Sequence, residues 1–221
     1  MVDVVALVPL RGGSKSIPKK NIRLIAERPL CAWVLESAAR SRSIKEVWVS
    51  TDSEEIADVV RRLNLGVRIL ERPSELATDE ASTEAVMLHF ADNVDFDVLA
   101  TIQATSPLLK SGQLDRAFEQ FEAQKLDSML SAVRTKRFFW SDDGTAINYN
   151  PLQRPRRQEF AGTLMENGAF YLTRRSVLES HQCRLGGKIG VFEMPEEMAV
   201  EIDEPADWAM VEKLILNELI K

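Results

Sequence analysis

Four cations, Arg11, Lys15, Lys19 and Lys20, fall in one short segment with Gly12, Gly13 and Ser14, and Asn21 closes it. That mixture suits a polyphosphate. Glycine lets the main chain approach phosphate oxygens, successive N–H groups can point into one concavity, and the cations supply positive charge. A solvated basic loop is the plainer reading of such a cluster. Its position directly after the apolar run Val4–Val8 favours the phosphate site, because an open α/β sheet binds ligands beyond its strand ends. The segment is not a Walker loop, since Ser14 precedes Lys15, and it lacks the G-x-G-x-x-G dinucleotide pattern.

Far along the chain, Glu201 and Asp203 flank Ile202. In an extended segment successive side chains alternate, so the two carboxylates share a side while Ile202 faces the core. Such a pair is an oxygen site fit for Mg²⁺, which takes one or two carboxylates and completes its shell with phosphate and water. The alternative is that Asp203 caps the last helix and Glu201 is solvated. A triphosphate, which needs both cations and a metal, favours the first reading.

These groups require strands to present them, and the chain alternates strands with helices, the pattern of a largely parallel sheet covered on both faces. After the basic loop, Pro29 to Ala39 reads as a helix and Val47 to Thr51 as the second strand. Asp52 is placed to cap the next helix, with Glu55 completing a capping box, and the apolar spacing then runs to Gly66. A short strand over Val67–Leu70, a helix over Ser82–Ala91 and a central strand over Val98–Ile102 follow. That central strand delivers Gln103 at its end. A helix around Leu114–Phe121 and a strand over Ser128–Val133 come next. Residues Thr135 to Glu166 then break the rhythm with Phe138-Phe139-Trp140 and Arg154-Pro155-Arg156-Arg157. So long an irregular stretch is either a satellite core or a surface for a second subunit. Regular structure returns with Asn167–Leu172, Ile189–Phe192, Val200–Asp203 and a last helix begun by Pro205.

Length and composition bound the rest. With 221 residues, 45% hydrophobic and 28% charged, the chain fits a single α/β domain over residues 1–221 with one excursion, 135–166. A net charge of −6 argues against nucleic acid as partner, so the cations serve small anionic substrates. Cys31 and Cys183 are too few for a disulfide framework, and His89 and His181 lie in unrelated contexts, against histidine-based catalysis or a histidine metal cluster. No apolar run approaches the roughly 20 residues of a membrane helix, and the N-terminus lacks a signal-peptide plan, so a cytoplasmic protein is expected.

The string Arg11-Gly12-Gly13-Ser14-Lys15-Ser16-Ile17-Pro18-Lys19-Lys20-Asn21 resembles the signature that opens the acylneuraminate cytidylyltransferases, the CMP-sialic acid synthetases. Leu10 replaces the usual Ala and Ser16 the usual Gly. Further similar blocks follow in the family's order: Val49–Asp52, Arg72–Leu76 with Asp79 and Ser82 after it, Gln103–Pro107, Arg154–Gln158 and Glu166–Gly168. Many bacterial members place an Arg where this chain has Met165, and the acidic pair is usually two aspartates, where this chain has Glu201.

The resemblance implies a nucleotide-diphosphosugar transferase scaffold and a homodimer assembled through the excursion. The implied reaction joins CTP to a nonulosonic acid, with the anomeric oxygen attacking the α-phosphorus and pyrophosphate leaving. Arg11, Lys15 and Lys20 would then neutralise the triphosphate, with Lys20 and Asn21 nearest the reacting phosphate. Gly12, Gly13 and Ser14 would line it, and Arg72 and Ser82 would read the cytosine. Gln103, Arg157 and Asn167 would bind the sugar acid, while Asp203 and Glu201 would hold Mg²⁺. Which sugar acid is used stays open among N-acetylneuraminate, its deaminated analogue, legionaminate and pseudaminate. A sugar transferase of similar scaffold is a rival, but it calls for a metal-binding Asp-x-Asp pair at a strand end, and Asp142-Asp143 sits in a turn. A non-catalytic nucleotide-binding regulator is another; it has no need of Lys20, Asn21, Glu201 and Asp203 together.

Overall fold

The apolar run that opens the chain becomes β1 (Val4–Pro9), an interior strand of a seven-stranded sheet, in a computed structural model that describes residues 2–219. A loop and a two-stranded hairpin, β2 (Leu24–Ile25) and β3 (Arg28–Pro29), lead into α1 (Leu30–Ala39). The chain continues through β4 (Glu46–Thr51), α2 (Glu54–Arg62), β5 (Arg68–Glu71), α3 (Thr83–Asn93) and β6 (Val98–Ile102). The second half holds α4 (Ser111–Ala123), β7 (Ser128–Thr135), β8 (Thr163–Arg174), α5 (Arg175–His181), β9 (Ile189–Met194) and α6 (Pro205–Leu219).

The strand order is β5-β4-β1-β6-β8-β7-β9. The first four are parallel, β9 is parallel to β7, and β8 alone runs against both of its neighbours. The sheet is therefore largely parallel, as the alternation of elements predicts. From β1 the chain moves outward to β4 and β5, then crosses to the other side of β1 to lay down β6. That reversal is a topological switch point, and it opens a crevice beyond the carboxyl ends of β1 and β6.

Both faces are covered, giving three layers. On one, α1, α2, α4 and α6 bury Val34, Ile56, Phe121 and Val211 against Val8, Val49 and Ile102. On the other, α3 and α5 bring Met87, Phe90 and Leu178 onto Val5, Leu7 and Leu99. Phe90 is fully buried, with Trp48 edge-on at 5.8 Å and Phe96 stacked at 5.9 Å; such burial contributes about 2 kcal/mol. Cys31 is likewise buried on α1, and desolvation pushes its thiol up to about 12, so it behaves as a small apolar residue.

Four local differences from the sequence expectation have physical causes. Ser53, not Asp52, caps α2, its hydroxyl accepting from the Ile56 N–H, because the Asp52 carboxylate is already engaged by the Gly12 N–H at 2.8 Å. The β2–β3 hairpin turns through Ala26 and Glu27 with φ of 46° and 62°, a primed turn without the usual Gly or Asn. Its Ala26 N–H donates to Glu212 of α6 at 2.8 Å, a tertiary contact that fixes the turn. The ladder between β7 and β8 extends to Thr135 opposite Thr163, so the irregular stretch is 136–162 and residues 163–166 are strand. Residues 200–203 join no strand; instead the Ile202 N–H donates to the Thr105 carbonyl at 3.0 Å.

Candidate active site

A cleft of about 510 Å³ lies at the switch point, between Pro9 at the end of β1 and Gln103 after β6. Arg11, Lys15, Lys20 and Asn21 of the basic loop line it, together with Arg72, Ser82 and Asp203. The loop reaches this position because Ile17 is fully buried under it and Asn21 closes it, its side-chain amide donating to the Arg11 carbonyl at 2.9 Å. Asn21 therefore shapes the loop through that amide. Ser16 is not among the residues with positive φ; the left-handed residue is Lys19, φ 54°, so a serine fits where glycine was the expected type. Lys19 itself points away, paired with Glu55 of α2 at 2.6 Å.

The other cations are each held by an internal acceptor. Lys20, largely shielded at 17% side-chain exposure, donates to the Ile202 carbonyl at 2.9 Å and lies 3.3 Å from Asp203. Arg11 and Lys15 both pair with Asp79, at 2.6 Å each. Arg72 is buried, with its guanidinium donating to the Ser50 hydroxyl at 3.1 Å and the Ser50 carbonyl at 2.6 Å. Burial pushes it down to about 10, with neighbouring Arg11 acting in the same direction and Asp52 opposing. Ser82 caps α3 by accepting from the Ala85 N–H, and its residue still edges the cleft.

The acidic segment is pinned from three sides: by Lys20 at the Ile202 carbonyl, by Thr105 at the Ile202 N–H, and by Asn167, whose amide donates to the Met198 carbonyl at 2.9 Å. Asn167 is buried and its Oδ1 has no partner among the described residues. It supports the segment from below, outside the cleft lining. Asp203 is exposed to the cleft. The first turn of α6 is closed by Asp207, which accepts from the Asp203 and Glu204 N–H groups, so the Asp203 carboxylate is not its cap. Glu201 is half-buried against Gly168. A Cβ on Gly168, where φ is +61°, would stand 2.9 Å from the Glu201 Oε1, so only glycine leaves room for that carboxylate.

Desolvation raises the Glu201 carboxyl above its ordinary range, reinforced by the charges of Asp203 and Glu166 and only partly offset by Lys20. A carboxylate with excess negative charge around it is a fitting neighbour for a divalent cation. Among the described residues no group of three or more acidic, cysteine or histidine side chains gathers at one point, and of the two carboxylates only Asp203 lines the cleft.

Arg157 lies elsewhere. It is exposed on 136–162, in a groove of about 1020 Å³ shared with Lys136, Arg137, Trp140 and Arg154. The aromatic triplet divides there. Phe138 packs on Tyr149 and Phe160, at 4.2 and 5.0 Å, under the Arg154 guanidinium, whereas Phe139 and Trp140 remain 36% and 49% exposed. Gly12 is drawn to Asp52 behind the cleft wall, while Gly13 and Ser14 line it. Asp79 and Thr105 are cleft residues that the sequence marks only through the resemblance; no spacing rule places an aspartate six residues after Pro73 opposite a basic loop.

Relatives agree with the geometry. A family model described as cytidylyltransferase matches residues 5–220. The chain is 39% identical over 222 residues to N-acylneuraminate cytidylyltransferase A of Danio rerio, covering 97% of this chain and 51% of that protein. It is 30% identical over 248 residues to CMP-N,N'-diacetyllegionaminic acid synthase of Legionella pneumophila, covering 97% of each. The chain spans about half the length of the fish relatives it matches. A solved structure of CMP:2-keto-3-deoxy-manno-octonic acid synthetase complexed with CTP shares the fold, with a TM-score of 0.75 at 22% identity over 98% of this chain and 99% of that one. With basic loop, switch-point cleft and nearly the whole length matched, the chain belongs to the cytidylyltransferase family.

Proposed function

We propose that the protein transfers the cytidylyl group of CTP to a nonulosonic acid, N-acetylneuraminate or a close analogue, with release of pyrophosphate. The observation that carries this reading is the convergence of Arg11, Lys15, Lys20 and Arg72 with Asp203 in one cleft at the switch point of the sheet. The sequence relatives named for sialic and legionaminic acid activation support the substrate class.

In this reading the base lies towards Arg72 and Ser82, and the triphosphate runs along Gly13, Ser14, Arg11 and Lys15. Lys20 stands beside the reacting phosphate, where it meets charge that grows as the bond to the leaving group lengthens. A bond forms between the sugar's anomeric oxygen and the α-phosphorus, the bond to the β-phosphate oxygen breaks, and the hydroxyl proton passes to solvent. Gln103, whose N–H donates to the Ala169 carbonyl of β8, orients the sugar acid. Asp203, with Glu201 beside it, would hold Mg²⁺, which supplies charge neutralisation at the phosphates when bound. Asn167 and Gly168 keep those carboxylates in place.

Assembly belongs to the same reading. The segment 136–162 exposes Phe139, Trp140, Ile147 and Leu152, the last at 93%, and such a surface suits a twofold contact with a second copy. Arg157 on that segment would then approach a sugar site across the dimer. No described helix is long and apolar enough to cross a membrane, and a cytoplasmic location completes the reading.

Pyrophosphate release from CTP and Mg²⁺ with a panel of N-acetylneuraminate, its deaminated analogue, legionaminate and pseudaminate tests the activity and selects the acid. Release with none of them would overturn it.

A further inference from the structure

The two most exposed cations of the cleft share one carboxylate. Arg11 and Lys15 each sit 2.6 Å from a different oxygen of Asp79, and the Arg11 guanidinium also donates to the Thr78 carbonyl at 3.1 Å. These hydrogen bonds, first from Lys15 and then from Arg11, hold the Asp79 carboxyl below its ordinary range. A two-oxygen anion held by one guanidinium nitrogen and an ammonium, in a cleft lined by phosphate-binding residue types, stands where one phosphate group of a ligand would stand.

The loop carrying Asp79 has no other anchor of this kind. It runs from the short helical turn at Ser74–Leu76 to the start of α3, and Thr78, Asp79 and Ala81 form one wall of the cleft. Among the described residues, every polar contact that 78–81 makes outside the loop goes to Arg11 or Lys15. Breaking the Asp79 contacts therefore frees Lys15 and leaves the Thr78 carbonyl bond to Arg11 as the remaining polar tie of 78–81 to the basic loop.

We propose that Asp79 is an internal counter-anion that occupies the phosphate position of the free cleft, so that a ligand gains the site only if it carries enough phosphate charge to displace it. Exchanging one carboxylate for one singly charged anion changes little, because the same cations are paired before and after. Exchange for a polyphosphate adds further charge-assisted hydrogen bonds for the same displacement. Asp79 thus determines specificity by phosphate number, favouring a triphosphate over shorter anions. The proposal rests on reading the cleft as a nucleotide site, but its core concerns polyphosphate and these three side chains.

The test compares the protein with Asp79→Asn, which keeps shape and removes the charge. Binding of inorganic tripolyphosphate, CTP, ATP, GTP and cytidine is measured by calorimetry without divalent cation, at low and high salt. The expected result is that Asp79→Asn binds tripolyphosphate and CTP roughly three- to thirtyfold more tightly, with cytidine unchanged and the gain shrinking in high salt. Weaker polyphosphate binding by the variant would overturn the proposal and make Asp79 an orienting residue for Arg11 and Lys15. Unchanged binding would also overturn it, since no displacement would then occur. If the variant tightens tripolyphosphate but neither protein prefers CTP to other nucleotides, the counter-anion stands and the cytidylyltransferase reading falls. If the wild type selects CTP and the substitution at Asp79 alters nothing, the counter-anion falls and the nucleotide site stands.

Discussion

Replacing Arg72 by methionine separates a base reader from a structural cation. The methionine keeps the unbranched stem but removes every donor, leaving the Ser50 hydroxyl and carbonyl without their bonds of 3.1 and 2.6 Å. Two hydrogen bonds from a charged donor are worth about 1.5–3 kcal/mol each, so their loss costs about 3–6 kcal/mol. Against this, the drop of the guanidinium from its ordinary value to about 10 means that folding bears about 3 kcal/mol for burying the charge, which methionine removes. The net destabilisation is then about 0–3 kcal/mol, a fall in melting temperature of no more than about 10 °C for a chain of this size. Affinity for CTP should fall by roughly ten- to a hundredfold, the loss of one charge-assisted hydrogen bond to the base, while affinity for inorganic tripolyphosphate holds. Thermal unfolding and calorimetry on the same samples read all three quantities. Normal CTP binding by the variant would refute the assignment, and equal losses for CTP and tripolyphosphate would move Arg72 to the phosphates.

Lys20→Ala should lower kcat by on the order of a hundredfold or more with CTP saturating, because its contribution grows with charge in the transition state; near-normal turnover would sink that role. Glu201→Gln should melt above the wild type at neutral pH. The raised Glu201 carboxyl favours folding below the ordinary carboxylate range and loses that contribution as pH rises through its folded value, so the advantage of glutamine should shrink towards pH 4 in unfolding scans, and a lower melting point for the variant at pH 7 would contradict the sign. With 136–162 as a twofold interface, the pair Phe139→Ser and Trp140→Ser should lower the mass in light scattering from that of two copies to that of one and weaken the sugar acid more than CTP. A monomeric wild type with full activity removes the interface.

The first strand and the basic loop that follows it into the cleft were legible because their signals are local. A continuous apolar run predicts a buried strand, and a glycine–cation loop after it predicts an anion site; both depend on neighbours in sequence. Asp52 shows where locality misleads, since its spacing is right for a cap while a loop forty residues earlier in the chain takes its carboxylate. The β2–β3 turn was invisible for a similar reason, the N–H of its left-handed Ala26 being held by Glu212 from far along the chain. The reversed direction of β8 leaves no trace in periodicity, because a strand buried on both faces reads the same either way. Arg157 and Asn167 looked equivalent as polar residues near the second substrate, yet one is exposed on a projecting segment and the other is sealed beneath Met198.

That reversed strand also sets an order of events for the chain as it is made. Until residues 163–174 have emerged, β6 pairs only with β1, and its other edge, opposite Phe170 to Arg174 in the finished sheet, is a bare row of N–H and C=O groups. Every residue of β6 is buried once the sheet closes, so the waiting edge is apolar as well as unpaired. Such an edge is a template for the wrong chain. The projecting segment 136–162 must therefore be traversed during the interval of greatest exposure, and lengthening it prolongs that interval. A fragment ending at Thr135 carries the basic loop and most of the cleft but not the strand that covers β6. It should associate or precipitate rather than persist as a monomer, and a soluble monomeric fragment of that length would contradict this order.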